Sequence, residues 1–290
     1  MILVTGAAGK TGRAAIPALI KRGEWVSALV HRKEHVESVR ALGAESVTVG
    51  SLNDQRALDR AMKGVKSVYH IAPNVHVDEL TIGHSVLVAA QRHSVKQFVY
   101  HSVLHPQTEE MPHHWLKLRV EELILKSSIP YTILQPCAYM QNILPRWGEI
   151  MTEGVYRIPY PADTRIGLVD LNDVAEAAAI VVTTSGHIGA TYELCGSDVM
   201  SQSEVAGALS EVIGRTIKVE VTPRNEWIET ARQSGLSGYA IDALTRMFQY
   251  YELYGLSGNP RTLTGLIGRS PTTFSQFVMR TIEESATIAK

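Results

Sequence analysis

Short runs of β-branched and aromatic residues alternate with longer stretches of helical period through the first half of this chain. Each helical stretch carries apolar residues three and four positions apart, which lie on one face of a helix. Strands that alternate with helices form a parallel sheet with crossover helices on both faces. The sequence therefore predicts a doubly wound α/β fold, with strands at 2–6, 25–31, 46–50, 67–72, 97–102 and 131–136 and helices at 11–22, 34–42, 54–63, 78–93 and 112–127.

The pattern changes after Pro136. We expect an extended region up to "RIPYPAD" (157–163), and then a helix in 168–184 that Asp170 or Asn172 caps. The last third is predicted to be mainly helical, for example in "WIETARQSGL" and "YAIDALTRMFQYYELYGL". We expect residues 1–136, with about 155–185 returning to them, to form the sheet domain, and 137–154 and 186–290 to form a smaller lobe that covers the substrate.

Composition excludes several classes of function. Lys and Arg number 28 against 29 for Asp and Glu, so no positive field attracts a nucleic acid. The two cysteines, Cys137 and Cys195, have no CxxC spacing, which indicates a reducing compartment and a cytoplasmic protein. The sequence contains no signal peptide and no apolar run long enough to span a membrane. We expect a monomer or a homodimer.

A glycine-rich loop follows the first predicted strand. In "VTGAAGKTGR", Gly6, Gly9 and Gly12 are spaced three apart and open a helix. Small residues let the backbone approach a pyrophosphate, whose charge the free N–H groups of the helix start can bind. A P-loop is excluded because Val4 stands where that motif needs its first glycine. The loop is typical of a Rossmann-type dinucleotide site.

The end of the second strand indicates which dinucleotide binds. An acidic residue there would bind the 2′-hydroxyl of an adenosine ribose, but this chain has "HRK", His31 to Lys33. Cations suit a 2′-phosphate, which favours NADP over NAD. The alternative is that Arg32 and Lys33 are solvated charges on a loop.

The chain resembles the NmrA-like family of atypical short-chain dehydrogenase/reductases over nearly its whole length. The resemblance rests on the motifs above, on "HHWLKLRVEELILKSSIPYTILQPCAYMQN" and on the near-terminal "LIGRSPTTFSQF". The resemblance implies an NADPH-dependent oxidoreductase. Arg32 would bind the 2′-phosphate, Leu52 would lie near the adenine, and Lys117 matches a lysine that some members retain. The resemblance implies a pyrophosphate site at Gly6, Gly9, Lys10, Thr11 and Gly12, a ribose site at Ile71, Ala72 and Pro73, nicotinamide contacts at Cys137 and Tyr139, and a substrate site at Tyr139 and Asn142.

His113 is the departure from the Tyr-x-x-x-Lys pattern of these dehydrogenases. On a helix, His113 lies four residues and His114 three residues before Lys117, so either imidazole can share a face with the lysine, and the sequence leaves open which one does. Because a lysine cation opposes protonation of an imidazole, we expect His113 to be neutral at pH 7. A neutral imidazole is a poor acid for an alkoxide, which argues against alcohol oxidation and favours hydride transfer to an acceptor that is already electrophilic.

Other side chains have two interpretations each. Lys117 can anchor the nicotinamide ribose or polarise a carbonyl, whereas His113 can also be a solvated or capping residue near Pro112. Ser102, after the fifth strand, can bind the substrate or simply close a turn. Aromatic residues at helical spacing are more often core than pocket wall; here they are Phe248, Tyr250, Tyr251 and Tyr254.

Metal and hydrolase chemistry are both disfavoured. Four histidines crowd one segment, His101, His105, His113 and His114, but no HExxH motif or cysteine accompanies them, so we expect no metal. A GxSxG elbow is missing. Two hypotheses remain: an NADPH-dependent reductase of a small conjugated or aromatic acceptor, and a non-catalytic NADP(H) sensor that regulates a protein partner.

Overall fold

The computed structural model describes residues 1–288. Its strands are β1 Ile2–Val4, β2 Val26–Val30, β3 Ser46–Val49, β4 Ser67–His70, β5 Gln97–His101, β6 Tyr131–Pro136, β7 Ala138–Tyr139, β8 Val155–Ile158, β9 Arg165–Val169, β10 Ala190–Leu194, β11 Asp198–Ser201 and β12 Lys218–Val221. Its helices are α1 Lys10–Lys21, α2 Val36–Arg40, α3 Gln55–Ala61, α4 Glu79–Arg92, α5 Pro112–Lys126, α6 Trp147–Glu153, α7 Leu171–Thr183, α8 Gln202–Ile213, α9 Arg224–Gln233, α10 Gly238–Tyr254, α11 Arg261–Ile267 and α12 Phe274–Ile288. Short 3₁₀ helices occupy Lys33–His35 and Met140–Arg146.

The chain divides into two compact units. The first comprises Met1–Glu109, His113–Pro136 and Val174–Glu193, and the second comprises Glu110–Pro112, Cys137–Asp173 and the chain from Leu194 onward. The segment that returns to the first unit is therefore 174–193, later than the predicted 155–185. Its end forms β10, which the sequence analysis did not predict as a strand.

A seven-stranded sheet, in the order β10-β6-β5-β4-β1-β2-β3, forms the centre of the first unit. The pairs from β3 through β6 are parallel, as in the register Ile2↔Val26 and Ile2↔Ser67. Strands β1, β2, β4 and β5 are buried along their whole length, which explains why they are continuous apolar runs rather than alternating ones. The predicted doubly wound Rossmann-type sheet is confirmed.

Helices cover both faces of this sheet. Phe98 of β5 packs with Leu58 of α3, Val86 of α4 and Ile124 of α5 in one apolar cluster. Side chains alternate along a strand, so the neighbouring Gln97 faces the other side. There its amide donates to the carbonyl oxygen of Val181 in α7, at 2.9 Å.

The second unit holds a three-stranded sheet, β11-β9-β7, and a two-stranded sheet, β12-β8. The segment 140–153, expected to be extended, is instead a 3₁₀ helix followed by α6, because Ile150 packs into the apolar cluster of this unit and Gly154, at φ 72°, ends the helix. Asp170 accepts from the backbone N–H of Asn172 and so starts α7, which confirms one of the two predicted caps.

The near-terminal "GRSPT" segment is held by a single buried carboxylate. Asp173 Oδ1 accepts from Arg269 Nη2 at 2.7 Å and from the Thr272 hydroxyl at 3.0 Å, and its Oδ2 accepts from the Thr272 backbone N–H at 2.6 Å. Within residues 1–288, the structure has no helix that is long and apolar enough to cross a membrane.

Candidate active site

The glycine loop turns directly beneath the end of β4. Gly6 has a φ of 58°, a conformation that favours glycine, and a Cβ there would lie 2.6 Å from the carbonyl oxygen of Ile71. A Cβ on Gly12 would lie 2.5 Å from the carbonyl oxygen of Gly6. The loop therefore packs too closely for larger residues, and it brings Gly6 against one of the predicted ribose residues.

The loop ends at the N-terminus of α1. Gly9 precedes the helix in an extended conformation. Because glycine has no side chain, it makes no side-chain cap to the first amide groups of α1. Lys10 is exposed and Thr11 is buried in the first turn. A helix start without a side-chain cap, a close glycine backbone and a helix dipole fit the pyrophosphate of a dinucleotide.

Arg32 lies beyond the end of β2, at the same edge of the sheet. It is exposed and forms a surface ion pair with Glu34 at 3.4 Å. Exposed pairs of this kind contribute little free energy, so a phosphate could take the place of Glu34. Leu52, after β3, is half-buried and packs against the apolar cluster of the first unit.

A run of hydrogen bonds and one ring contact leads from the loop to Lys117. The Thr5 hydroxyl hydrogen-bonds to His70 Nδ1 at 2.8 Å, and the His70 ring stacks on Tyr100 with centroids 5.8 Å apart. The Tyr100 hydroxyl donates to Glu79 Oε1 at 2.9 Å, and Lys117 Nζ donates to the same oxygen at 2.8 Å. These contacts link the glycine loop to Lys117 through buried side chains.

Glu79 and Lys117 form a buried ion pair, with side chains 1% and 6% exposed. Lys117 Nζ also lies 5.4 Å from the centroid of the Tyr100 ring. A buried pair fixes the position of its ammonium group, because separating the charges in this environment is costly. The sequence analysis missed Glu79, although its signal was present: this acid lies at helical spacing from Ile82 and Val86, on the apolar stripe of α4.

Tyr100 does not replace the missing catalytic tyrosine. Burial raises its pKa well above the ordinary value of 10, and the charge of Glu79, which accepts its proton in a hydrogen bond, raises it further. A phenol with a raised pKa is a weaker acid near neutral pH. Tyr100 therefore serves to hold Glu79 rather than to donate a proton.

His113 and His114 are buried at the start of α5. Burial, and next the charge of Lys117, lower the pKa of His113 well below 6.5. His114 has a pKa lowered to about 4, chiefly by burial, and its Nδ1 lies 3.4 Å from the carbonyl oxygen of His105. The sequence predicted a neutral His113 from the charge of Lys117, but burial is the larger cause of its lowered pKa.

Ser102 is buried just beyond the end of β5, and its hydroxyl donates to Glu121 of α5. His101, on the opposite face of the sheet from Tyr100, pairs through Nδ1 with the Tyr69 hydroxyl at 2.6 Å.

Within residues 1–288, no group of three or more His, Cys, Asp or Glu side chains is placed to hold a metal ion.

The remaining predicted pocket residues belong to the second unit. Cys137 is buried after β6, Tyr139 is half-buried and pairs in register with Val169, and Asn142 is exposed. The aromatic cluster of α10 is divided: Tyr251 is buried, whereas Tyr254 is 68% exposed. Phe248 packs edge-on against Trp227, with ring centroids 4.8 Å apart.

This fold and loop define a dinucleotide-binding protein of the doubly wound class. The model of the NmrA-like family matches residues 1–286, and the chain belongs to that family. It is 33% identical over 221 residues, 76% of each chain, to the (4-alkanoyl-5-oxo-2,5-dihydrofuran-3-yl)methyl phosphate reductase of Streptomyces griseus. It is 28% identical over 280 residues to quinone oxidoreductase 2 of Escherichia coli, covering 96% of this chain and 97% of the relative.

A solved structure of the NADPH-dependent quinone oxidoreductase QOR2 from Escherichia coli, complexed with NADPH, has the same fold. It superposes with a TM-score of 0.84 at 26% identity, covering 97% of this chain and all of that one. The resemblance inferred from the sequence motifs is therefore confirmed.

Proposed function

We propose that this protein is an NADPH-dependent reductase that transfers a hydride to a small conjugated or aromatic acceptor, such as a quinone or an enone. The chain is an NAD(P)H-dependent oxidoreductase, in agreement with the reductase activities named for its relatives from Streptomyces griseus and Escherichia coli. The observation that carries the proposal is the connected run of contacts from Thr5 of the glycine loop to Lys117.

The cofactor fits the residues at the loop and would supply the hydride. Gly6, Gly9, Lys10, Thr11 and Gly12 would hold its pyrophosphate. Arg32 would bind the 2′-phosphate and so favour NADPH over NADH. By family resemblance, Leu52, Ile71, Ala72 and Pro73, together with Cys137 and Tyr139, are the proposed remaining cofactor residues, and Tyr139 and Asn142 the proposed substrate residues.

Lys117 has the central role. An ammonium group has three donors, so the bond to Glu79 leaves two for a cofactor hydroxyl or an acceptor carbonyl. His113, held neutral by burial, can donate one hydrogen bond but cannot serve as a strong acid near pH 7. These side chains orient and polarise an acceptor, which suits a compound that is electrophilic before it binds.

Reduction of an acceptor panel tests this proposal. The purified protein is assayed for NADPH oxidation with quinones, enones, aldehydes and triarylmethane dyes, with NADH in parallel. We expect turnover that depends on a conjugated acceptor and prefers NADPH. Tight NADPH binding without turnover on any acceptor would instead support the alternative, a non-catalytic sensor that acts through a protein partner.

A variant pair on α5 ties the activity to the site. Lys117→Met removes the ammonium group but keeps an apolar stem, and we expect turnover to fall about 100-fold, the order of effect of losing a preorganised donor. Lys126→Met, at an exposed position of the same helix, is the control and should keep full turnover. Normal turnover in Lys117→Met would remove Lys117 from the mechanism.

A further inference from the structure

An acidic residue, Glu121, lies on the buried face of α5, one turn beyond Lys117. Glu121 receives a hydrogen bond from the Ser102 hydroxyl at the end of β5. From β6, Gln135 Nε2 donates to both carboxyl oxygens, at 2.9 and 3.1 Å. Both neighbours thus hold the carboxyl group of Glu121 in one orientation, with one oxygen against Ser102.

The surroundings of Glu121 favour its protonated form. The residue is only 6% exposed, and burial raises the pKa of its carboxyl group, although the hydrogen bonds from Ser102 and Gln135 and the charge of Lys117 act in the opposite direction. Tyr100 also interacts with it electrostatically. A carboxyl group with a raised pKa keeps its proton closer to neutral pH, as a general acid must.

Three other titratable groups of the candidate site are poor proton donors. Burial lowers the pKa of both His113 and His114, so near pH 7 these imidazoles are already neutral. Tyr100 has a raised pKa and holds its proton too firmly. Of His113, His114, Tyr100 and Glu121, only Glu121 has a pKa that burial shifts toward neutral pH.

We propose that Glu121 is the source of the proton that completes reduction of the acceptor, and that Ser102 passes this proton on. The proposal rests on the proposed reductase function and supplies the acid that the absent tyrosine would otherwise provide. A serine hydroxyl can accept one hydrogen bond while it donates another, which allows this relay.

Hydride reduction of a conjugated carbonyl breaks a C–H bond of the reduced nicotinamide, forms a C–H bond on the acceptor and leaves an oxyanion. In the structure the Ser102 hydroxyl donates to Glu121 Oε1, as it does to a carboxylate. When Glu121 is protonated, this hydrogen bond reverses and Oε1–H donates to Ser102 Oγ. The oxyanion then takes the Ser102 Oγ proton as Oγ takes the proton of Glu121 Oε1. Glu121 is left as a carboxylate and regains a proton from water before the next turnover.

Two acceptors of different proton demand test the relay. An enone requires one hydride and one proton, whereas a cationic triarylmethane dye requires the hydride alone. In Glu121→Gln we expect enone turnover to fall about 100-fold, the order of a general-acid contribution, and dye turnover to change less than about twofold. The solvent deuterium isotope effect on enone turnover should also disappear.

Glu122→Gln is the matched control, because Glu122 is the next residue of the helix and forms surface ion pairs with Arg119 and Lys126. It should leave both reactions unchanged. Equal losses with both acceptors in Glu121→Gln would indicate a structural role and overturn the relay, as would unchanged enone turnover.

A measurement without cofactor or acceptor separates the two proposals. Carbon-13 NMR of glutamate carboxyl groups in the wild type should show one residue that titrates above the ordinary range, and this signal should be missing in Glu121→Gln. If Glu121 titrates as an ordinary glutamate, the relay fails even if the protein is a reductase. If the wild type reduces neither acceptor, the proposed function itself fails.

Discussion

Buried histidines should make this protein sensitive to mild acid. Burial lowers the pKa of His70 and of His101 from 6.5 to about 3, and the charge of Lys117 acts in the same direction. The native state keeps these imidazoles neutral, whereas the unfolded chain takes up protons as the pH falls below 6.5. Their contribution to stability is therefore complete above pH 6.5 and is lost progressively as the pH falls toward 3.

The size of the loss follows from these values. Between pH 7 and pH 5, each such histidine costs about 2 kcal/mol of unfolding free energy, and the pair costs about 4 kcal/mol. This is a large part of the roughly 5–15 kcal/mol that stabilises a typical protein. His113 and His114 add a loss of the same sign, whereas Glu121, whose pKa burial raises, acts in the opposite direction.

Urea denaturation at pH 7, 6 and 5 measures the effect. His101→Gln, whose amide can still hydrogen-bond to Tyr69, should reduce the loss between pH 7 and pH 5 by about 2 kcal/mol. His84→Gln, at an exposed position of α4, should leave it unchanged. Equal unfolding free energies at pH 7 and pH 5, or an unchanged loss in His101→Gln, would refute the assignment of neutral buried imidazoles.

Three further predictions concern the cofactor loop and the ion pair. Arg32→Ala should weaken NADPH binding by about 2 kcal/mol, roughly 30-fold, and leave NADH binding unchanged in fluorescence titrations; equal losses would contradict the 2′-phosphate assignment. Gly12→Ala should abolish NADPH binding, because its Cβ would meet a backbone carbonyl oxygen at 2.5 Å, whereas Gly207→Ala in the open interior of α8 should bind normally and gain about 1 kcal/mol of stability. Glu79→Gln or Lys117→Met alone should each cost about 3–5 kcal/mol in urea denaturation, and the double variant clearly less than their sum; additive losses would show that the two charges are not coupled.

The sheet of the first unit could be predicted because its strands are continuous β-branched runs, and each predicted strand or helix there ends within two residues of the observed one. Strand β10 was missed because "ATYEL" is short and of mixed polarity and is stabilised by β6, far away in sequence. Helix α6 was missed because Gly148 and the nearby Pro145 disguise its period.

The candidate site was predictable only where it is local. The spacing of His113 and Lys117 on one helix gave their proximity and the direction of the pKa shift of His113. Glu79 lies 38 residues from Lys117 and Glu121 lies 19 from Ser102, so these pairs form only when α4, α5 and β5 pack. Burial, the main cause of the shifts in pKa, is likewise a property of the folded chain.

Hydride transfer itself is the most direct test of the central claim. Single-turnover reduction of a quinone is followed with NADPH carrying deuterium at C4 on one face or on the other. If this protein is a reductase that holds the nicotinamide in one orientation beside Lys117, only one of the two labelled cofactors will slow the reaction. The account would be contradicted if no hydride passed from NADPH to any acceptor, or if deuterium on either face gave the same isotope effect.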